Sequence, residues 1–179
     1  MTRSLLQSVS DLLRARGIPH ALIGAAALAV HGVARSTYDL DLMATDPRTL
    51  AAETWDRLAG SGTAHVDIRR GDADDPLAGI VRIEAAGERV VDVVVGRFTW
   101  QAEAIAAAEP VRIEGGLIPV VTVADLILLK LYAGGTQDAW DIDQLLAAGS
   151  RHEVSRQVAA GLPALPAEAA ALWARIVQG

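Results

Sequence analysis

Two aspartates one residue apart, Asp39 and Asp41, lie in Tyr38-Asp-Leu-Asp-Leu-Met43, whose polar–apolar alternation predicts a β-strand. Residues two apart on a strand project to one face, so both carboxylates are presented together. A third carboxylate, Asp92, sits within Arg89-Val-Val-Asp-Val-Val-Val95. Valines at both parities predict a strand buried on both faces, where a carboxylate is costly unless it is paired, hydrogen-bonded or bound to a cation. If the two strands are neighbours, three hard oxygen donors converge, a set suited to Mg²⁺. Two such ions activate an attacking hydroxyl and stabilise a leaving pyrophosphate. Upstream, Ala21 to Gly24 predicts a short buried strand that runs straight into a small-residue helix ending near Val33. Gly24 and Ala25 thereby place unpaired helix N–H groups at a strand end, where a phosphate can be received. Together these features point to metal-assisted chemistry on a nucleotide. Asp67 is a rival third carboxylate, but Arg69-Arg70 follow it and a surface ion pair accounts for it.

Several flanking residues fit the same chemistry. Arg35 precedes the carboxylate strand and would pair with a triphosphate or neutralise Asp39, while Thr37 suits a turn at the mouth of the site or a nucleotide contact. Thr122-Val-Ala-Asp125 has the form of a capping box and opens a helix, Leu126 to Tyr132, that is apolar except at Lys130. Of the 16 basic residues Lys130 is the single lysine, and a compact ammonium on an apolar helix must meet an anion or reach solvent. A triphosphate contact, stabilisation of a leaving group, or an ion pair with one of the aspartates would each satisfy it. Asp138 and Asp141, three apart on a following helix, share a face and would form a polar wall with Lys130 across from the metal site. Acidic residues in a first helical turn also complement the helix dipole without any further role.

The elements that must position these groups follow in order. Leu5, Leu6, Val9, Leu12 and Leu13 recur at helical spacing and predict a first helix ended by Gly17. Pro47 behind Asp46 opens a helix expected to run to about Leu58 and stop at Gly60-Ser61-Gly62. Strands are expected at 64–69, 79–85 and 89–95, the last two joined by a hairpin turn at Ala86-Gly87-Glu88. A helix from Thr99 to Ala108 closed by Pro110, then short strands at 111–113 and 117–121, complete a sheet region. From Thr122 onward the pattern is helical, with interruptions at Gly134-Gly135, Gly149 and Gly161 to Pro166. The class is α+β, a mixed sheet flanked by helices, with residues 1–121 as an α/β core and 122–179 as a helical region packed on it within one structural domain.

Composition bounds the function. A chain of 179 residues with 51% hydrophobic content can bury a substantial core, and the lack of cysteine excludes disulfides and thiolate metal sites. A net charge of −6 argues against non-specific DNA binding. The longest apolar run is too short to span a bilayer and the N-terminus lacks the form of a signal peptide, so a soluble cytoplasmic protein is expected.

A strand ending in Gly24, a helix, the Asp39-Leu-Asp41 strand and the later Val91-Asp92-Val93 strand together resemble the nucleotidyltransferase superfamily of polymerase-beta-like fold. The fuller string from Gly24-Ala-Ala-Ala27 through His31-Gly-Val-Ala-Arg-Ser-Thr37 to Asp41 is similar to small bacterial nucleotidyltransferases related to abortive-infection toxins, often paired with an antitoxin. The resemblance implies Mg²⁺, two ions held by Asp39, Asp41 and Asp92, and transfer of an NMP group from an NTP to a hydroxyl of a protein, an RNA or a small molecule. It also implies phosphate contact at Gly24 and Ala25 and a helical lysine at Lys130. Two positions depart from the pattern. Ala25 stands where the superfamily usually has Ser or Gly, and Gly135 stands where relatives tend to carry Arg before a D-x-x-D helix. Both departures also suit a non-catalytic module of the same fold that binds nucleotide or a protein partner.

Overall fold

In the computed structural model, which describes residues 3–60, 62 and 64–178, the leucine repeat near the N-terminus forms helix α1 (Leu5–Ala15). Ser4 caps it, its hydroxyl accepting from the Gln7 amide at 3.3 Å. The chain leaves α1 through Gly17, whose φ of +64° is the left-handed turn that favours glycine. Leu6, Val9 and Leu13 are fully buried. Each large apolar side chain so buried contributes about 1.5–3 kcal/mol.

Seven strands form one mixed sheet: β1 (His20–Ile23), β2 (Asp39–Ala44), β3 (His65–Arg70), β4 (Gly79–Glu84), β5 (Val90–Val95), β6 (Glu109–Ile113) and β7 (Gly116–Val120). Their order is β3-β4-β5-β2-β1-β7-β6. The pairs β2·β5 and β1·β7 are parallel and the other four are antiparallel. One face carries Leu22, Leu40, Leu42, Val81, Ile83, Val91, Val93 and Val95, all buried. Helix α1 lies against β1, β5 and β7, and its Ser10 meets His20 on that face.

Between the strands run α2 (Gly24–Val30), α3 (Asp56–Ala59) and α4 (Thr99–Ala106), and after the sheet come α5 (Val123–Ala133), α6 (Asp138–Ala148), α7 (Arg151–Gly161) and α8 (Ala167–Gln178), making eight α-helices among the described residues. The architecture is α+β, as the sequence predicts. The chain divides into two compact units. One comprises Met1–Ala26 with Ser36–Val121 and contains the sheet; the other gathers Ala27–Arg35 with Thr122–Gly179. In the second, α5 is the central helix, touching α6, α7 and α8. Gly161 belongs to that packing, since a Cβ there would stand 2.4 Å from Leu128 Cδ1.

Three expectations are corrected. The helix expected from Pro47 to Leu58 is two 3-10 turns, Pro47–Leu50 and Ala52–Thr54, before the short α3. Thr54 Oγ1 donates to the Arg48 carbonyl at 2.6 Å and Trp55 Nε1 to the Thr49 carbonyl at 2.8 Å. Those side chains take the acceptors that a continuous helix uses, and Ala51 is extended between the turns. Of the expected stop, Ser61 lies outside the described residues. Pro110 does not merely close α4 but sits within β6, an edge strand, facing Pro119 of β7. Finally, β5 is not buried on both faces. Val91, Val93 and Val95 are buried, whereas Val90, Asp92 and Val94 are half-buried, so the all-valine run hides an ordinary one-sided strand.

Candidate active site

The register of the central strands assembles the carboxylates. Asp41 of β2 and Asp92 of β5 are direct partners across the parallel pair, and Asp39 lies two residues back on the same face. All three are on the less buried face of the sheet, opposite the apolar core face. At the end of β1, Ile23 pairs with Asp41, and the chain then turns at Gly24 with φ +65° to start α2. A Cβ at Gly24 would stand 2.3 Å from Asp41 Oδ2, so the carboxylate occupies the space a side chain would need. Glycine is therefore required here twice over, by the backbone angle and by the neighbour. Ala25 follows as the second residue of α2.

The row continues with a residue that sequence reasoning missed. Arg82 of β4 is the direct partner of Asp92, and Asp67 of β3 is the direct partner of Arg82. The guanidinium turns toward Asp92, with Nη1 2.9 Å from Asp92 Oδ2, Nη2 3.5 Å from Asp39 Oδ2, and Nε 3.2 Å from Glu84 Oε1. Asp67 is instead held by Arg69 at 2.8 Å, the surface pair its sequence neighbours predict. The only sequence signal for Arg82 is its polar position in Gly79-Ile-Val-Arg-Ile-Glu84, which any half-exposed strand shows.

Asp92 is the most burdened carboxylate of the row. Burial raises its pKa above the ordinary carboxylate value, the Asp39 and Glu84 charges add to that rise, and Arg82 opposes it. Its Oδ1 is buried and accepts no hydrogen bond from the described residues. Among the described residues no three His, Cys, Asp or Glu side chains are arranged so that they could hold a metal ion. Asp39, Asp41 and Asp92 share a face, but Arg82 reaches between Asp39 and Asp92 as a cation of the chain's own.

The remaining candidates apart from Thr37 belong to the helical unit. Lys130 is buried on α5, and its ammonium donates to Asp138 Oδ1 at 3.0 Å and to Asp141 Oδ2 at 2.5 Å. Arg35 donates to the same Asp141 oxygen and to Gln137 Oε1. Asp141 is thus a fully buried carboxylate serving two cations through one oxygen, while its Oδ1 has no hydrogen-bond partner among the described residues. Asp138 also accepts from the Gly135 amide at 2.7 Å, and a Cβ at Gly135 would stand 2.8 Å from that carboxylate. Thr37 makes a local bond, its hydroxyl donating to the Asp39 carbonyl at 2.8 Å. Ala34, Arg35, Gln137, Trp140 and Asp141 line a pocket of about 220 Å³, with Trp140 largely exposed.

The fold is that of nucleotidyltransferases. The antibiotic-resistance factor ANT(2'')-Ia superposes with a TM-score of 0.59 at 16% identity, covering 98% of this chain and 96% of its own. A crystal structure of the same protein holds adenylyl-2''-tobramycin. The lincosamide antibiotic adenylyltransferase LnuA, with lincomycin bound, gives 0.51 at 13% identity over 80% of this chain and 96% of its own. An antigenic nucleotidyltransferase-like protein from Paracoccidioides brasiliensis gives 0.51 at 16% identity over 96% and 84%. No protein-family model and no curated protein sequence matches the chain. No helix among the described residues is long and apolar enough to cross a membrane.

Proposed function

We propose that the protein is a Mg²⁺-dependent nucleotidyltransferase that moves an NMP group from an NTP to a hydroxyl acceptor. The observation that carries this reading is the register that sets Asp39, Asp41 and Asp92 on one sheet face beside the Gly24 turn. The donor set suits Mg²⁺, since all three are hard oxygen ligands and one buried oxygen, Asp92 Oδ1, lacks a hydrogen-bond partner among the described residues. As the chain stands, Arg82 lies between Asp39 and Asp92, and no three such side chains among the described residues are arranged around an ion; with Arg82 displaced, these three residues would hold the metal, two ions in the full complement. The chemistry such ions supply when bound is neutralisation of phosphate charge and activation of the acceptor hydroxyl. The chain's own share is positioning: the backbone at Gly24 and Ala25 receives donor phosphates beside the three carboxylates, with Thr37 just before the carboxylate strand as a nucleotide contact.

The adenylylated tobramycin held by ANT(2'')-Ia and the adenylyltransferase LnuA favour a small-molecule hydroxyl as acceptor. A net charge of −6 suits a cationic acceptor of that class. Incubation with radiolabelled NTP and Mg²⁺ against an aminoglycoside, an RNA pool and a protein lysate tests both parts of the reading. Labelling of any acceptor that vanishes in Asp39→Asn/Asp41→Asn supports it; labelling undiminished in that variant refutes it. The narrower role, one half of a cytoplasmic toxin–antitoxin pair, rests on the likeness of residues 24–41 and is tested by growth arrest on expression.

A second reading has its own observation. Arg82 already neutralises Asp39 and Asp92, which suits a weakly catalytic or non-catalytic nucleotide-binding or protein-interaction module. Calorimetric titration with NTP, with and without Mg²⁺, separates the two: binding without turnover on any acceptor favours the module.

A further inference from the structure

Arg82 stands in a row of charges with a choice of partners. Asp67 is its direct partner on one side and Asp92 on the other. An arginine that merely tied edge strands together would serve the outer pair, but Asp67 is taken by Arg69. The guanidinium turns inward and spans Asp92 and Asp39, two of the three residues assigned above to metal. Its side chain is 38% exposed, so it can leave for solvent without opening the core. The planar fork pairs with two carboxylates at once, as a delocalised single charge in the space where a compact divalent ion would be held.

We propose that Arg82 is an internal countercation that competes with divalent metal for Asp39 and Asp92, and thereby sets the metal concentration at which the site loads. This inference rests on the metal-binding role proposed above for Asp39, Asp41 and Asp92. When the ion is absent, Arg82 relieves the repulsion among carboxylates that the register forces together. When the ion arrives, the guanidinium is displaced, and the two lost ion pairs subtract from the apparent metal affinity. Arg82 is thus a positioning residue whose signature lies in metal uptake itself.

Titration with MnCl₂ alone, followed by the electron paramagnetic resonance signal of free Mn²⁺, tests this on the intact protein. Arg82→Gln should take up Mn²⁺ about tenfold more tightly than the wild type, and Arg82→Lys should fall between them. Equal or weaker uptake by a folded Arg82→Gln, with wild-type uptake that Asp92→Asn abolishes, overturns the competition and leaves the proposed function standing. Absence of Mn²⁺ uptake from wild type and Arg82→Gln alike overturns both. Should Arg82→Gln fail to fold, the wild type decides. On titration with MgCl₂ the Arg82 Nε–Hε resonance should shift and exchange faster with water, and a resonance unmoved through saturating uptake overturns the proposal.

Discussion

Asp41 and Asp92 are direct partners across the parallel strands β2 and β5, so two carboxylates separated by fifty residues of chain stand side by side on one sheet face. Like charges placed opposite one another on a sheet destabilise it by a few tenths to about 1 kcal/mol. Such a cost is retained where it serves a site. Asp41→Asn should therefore leave folding stability equal or raised by up to about 1 kcal/mol while lowering nucleotidyl transfer by roughly a hundredfold or more. Urea denaturation beside a radiolabelled-NTP assay reads both, and a large loss of stability would remove the argument.

Gly24 is expected to tolerate no side chain. Gly24→Ala meets a left-handed backbone angle and the Asp41 carboxylate together, whereas Gly17→Ala meets a similar angle with nothing within 4 Å. The angle alone costs about 1–2 kcal/mol. The excess destabilisation of Gly24→Ala over Gly17→Ala in chemical denaturation measures the contact with Asp41, and equal losses would mean that the carboxylate simply moves aside.

The buried ion cluster of the helical unit is predicted to respond asymmetrically. Asp141→Ala strips one carboxylate from both Lys130 and Arg35 and should cost about 3 kcal/mol or more. Lys130→Met leaves Asp141 paired with Arg35 and should cost clearly less. Thermal unfolding of the two variants and of Lys130→Met/Asp141→Leu checks the ordering. The double variant should regain part of the loss, because an apolar replacement of a buried pair avoids its desolvation.

His20 supplies a pH dependence. Its ring is buried, with Nδ1 bonded to the Ile18 carbonyl at 3.0 Å and Nε2 to Ser10 Oγ at 2.7 Å. Nδ1 is therefore the protonated nitrogen, and the Ser10 hydroxyl donates to Nε2. Burial lowers its pKa, although the bond to Ile18 opposes the shift. The folded state then binds fewer protons than the unfolded chain below the unfolded value of about 6.5, so stability is full above that pH and falls as pH drops through it. The slope should be at most about 1.4 kcal/mol per pH unit. Denaturation midpoints between pH 7 and 5 should fall for the wild type and stay flatter for His20→Gln.

The candidate site was legible in part from sequence for a physical reason. The period of two in Tyr38 to Met43 places Asp39 and Asp41 on one face whatever the sheet does. The Gly24 turn was readable because small residues at a strand end are a local signal, whereas the Asp41 carboxylate against it comes from the pairing of β1 with β2. Asp92 was readable as a costly carboxylate among valines, although the strand proved one-sided.

Strand order and pairing lay beyond local pattern. Nothing near Arg82 in the chain announces that β4 lies beside β5 in the register that brings it to Asp92, because register is a property of two strands and not of one. The same holds for Arg35 and Lys130. Their types foretold anions, but their partners Asp141 and Asp138 come from how helices of the second unit pack, and Arg35 finds Asp141 106 residues away. Sequence alone determined which groups carry charge and which face each presents. Tertiary structure decided which charges meet, because desolvation and ion pairing are set by neighbours that only the folded chain brings together.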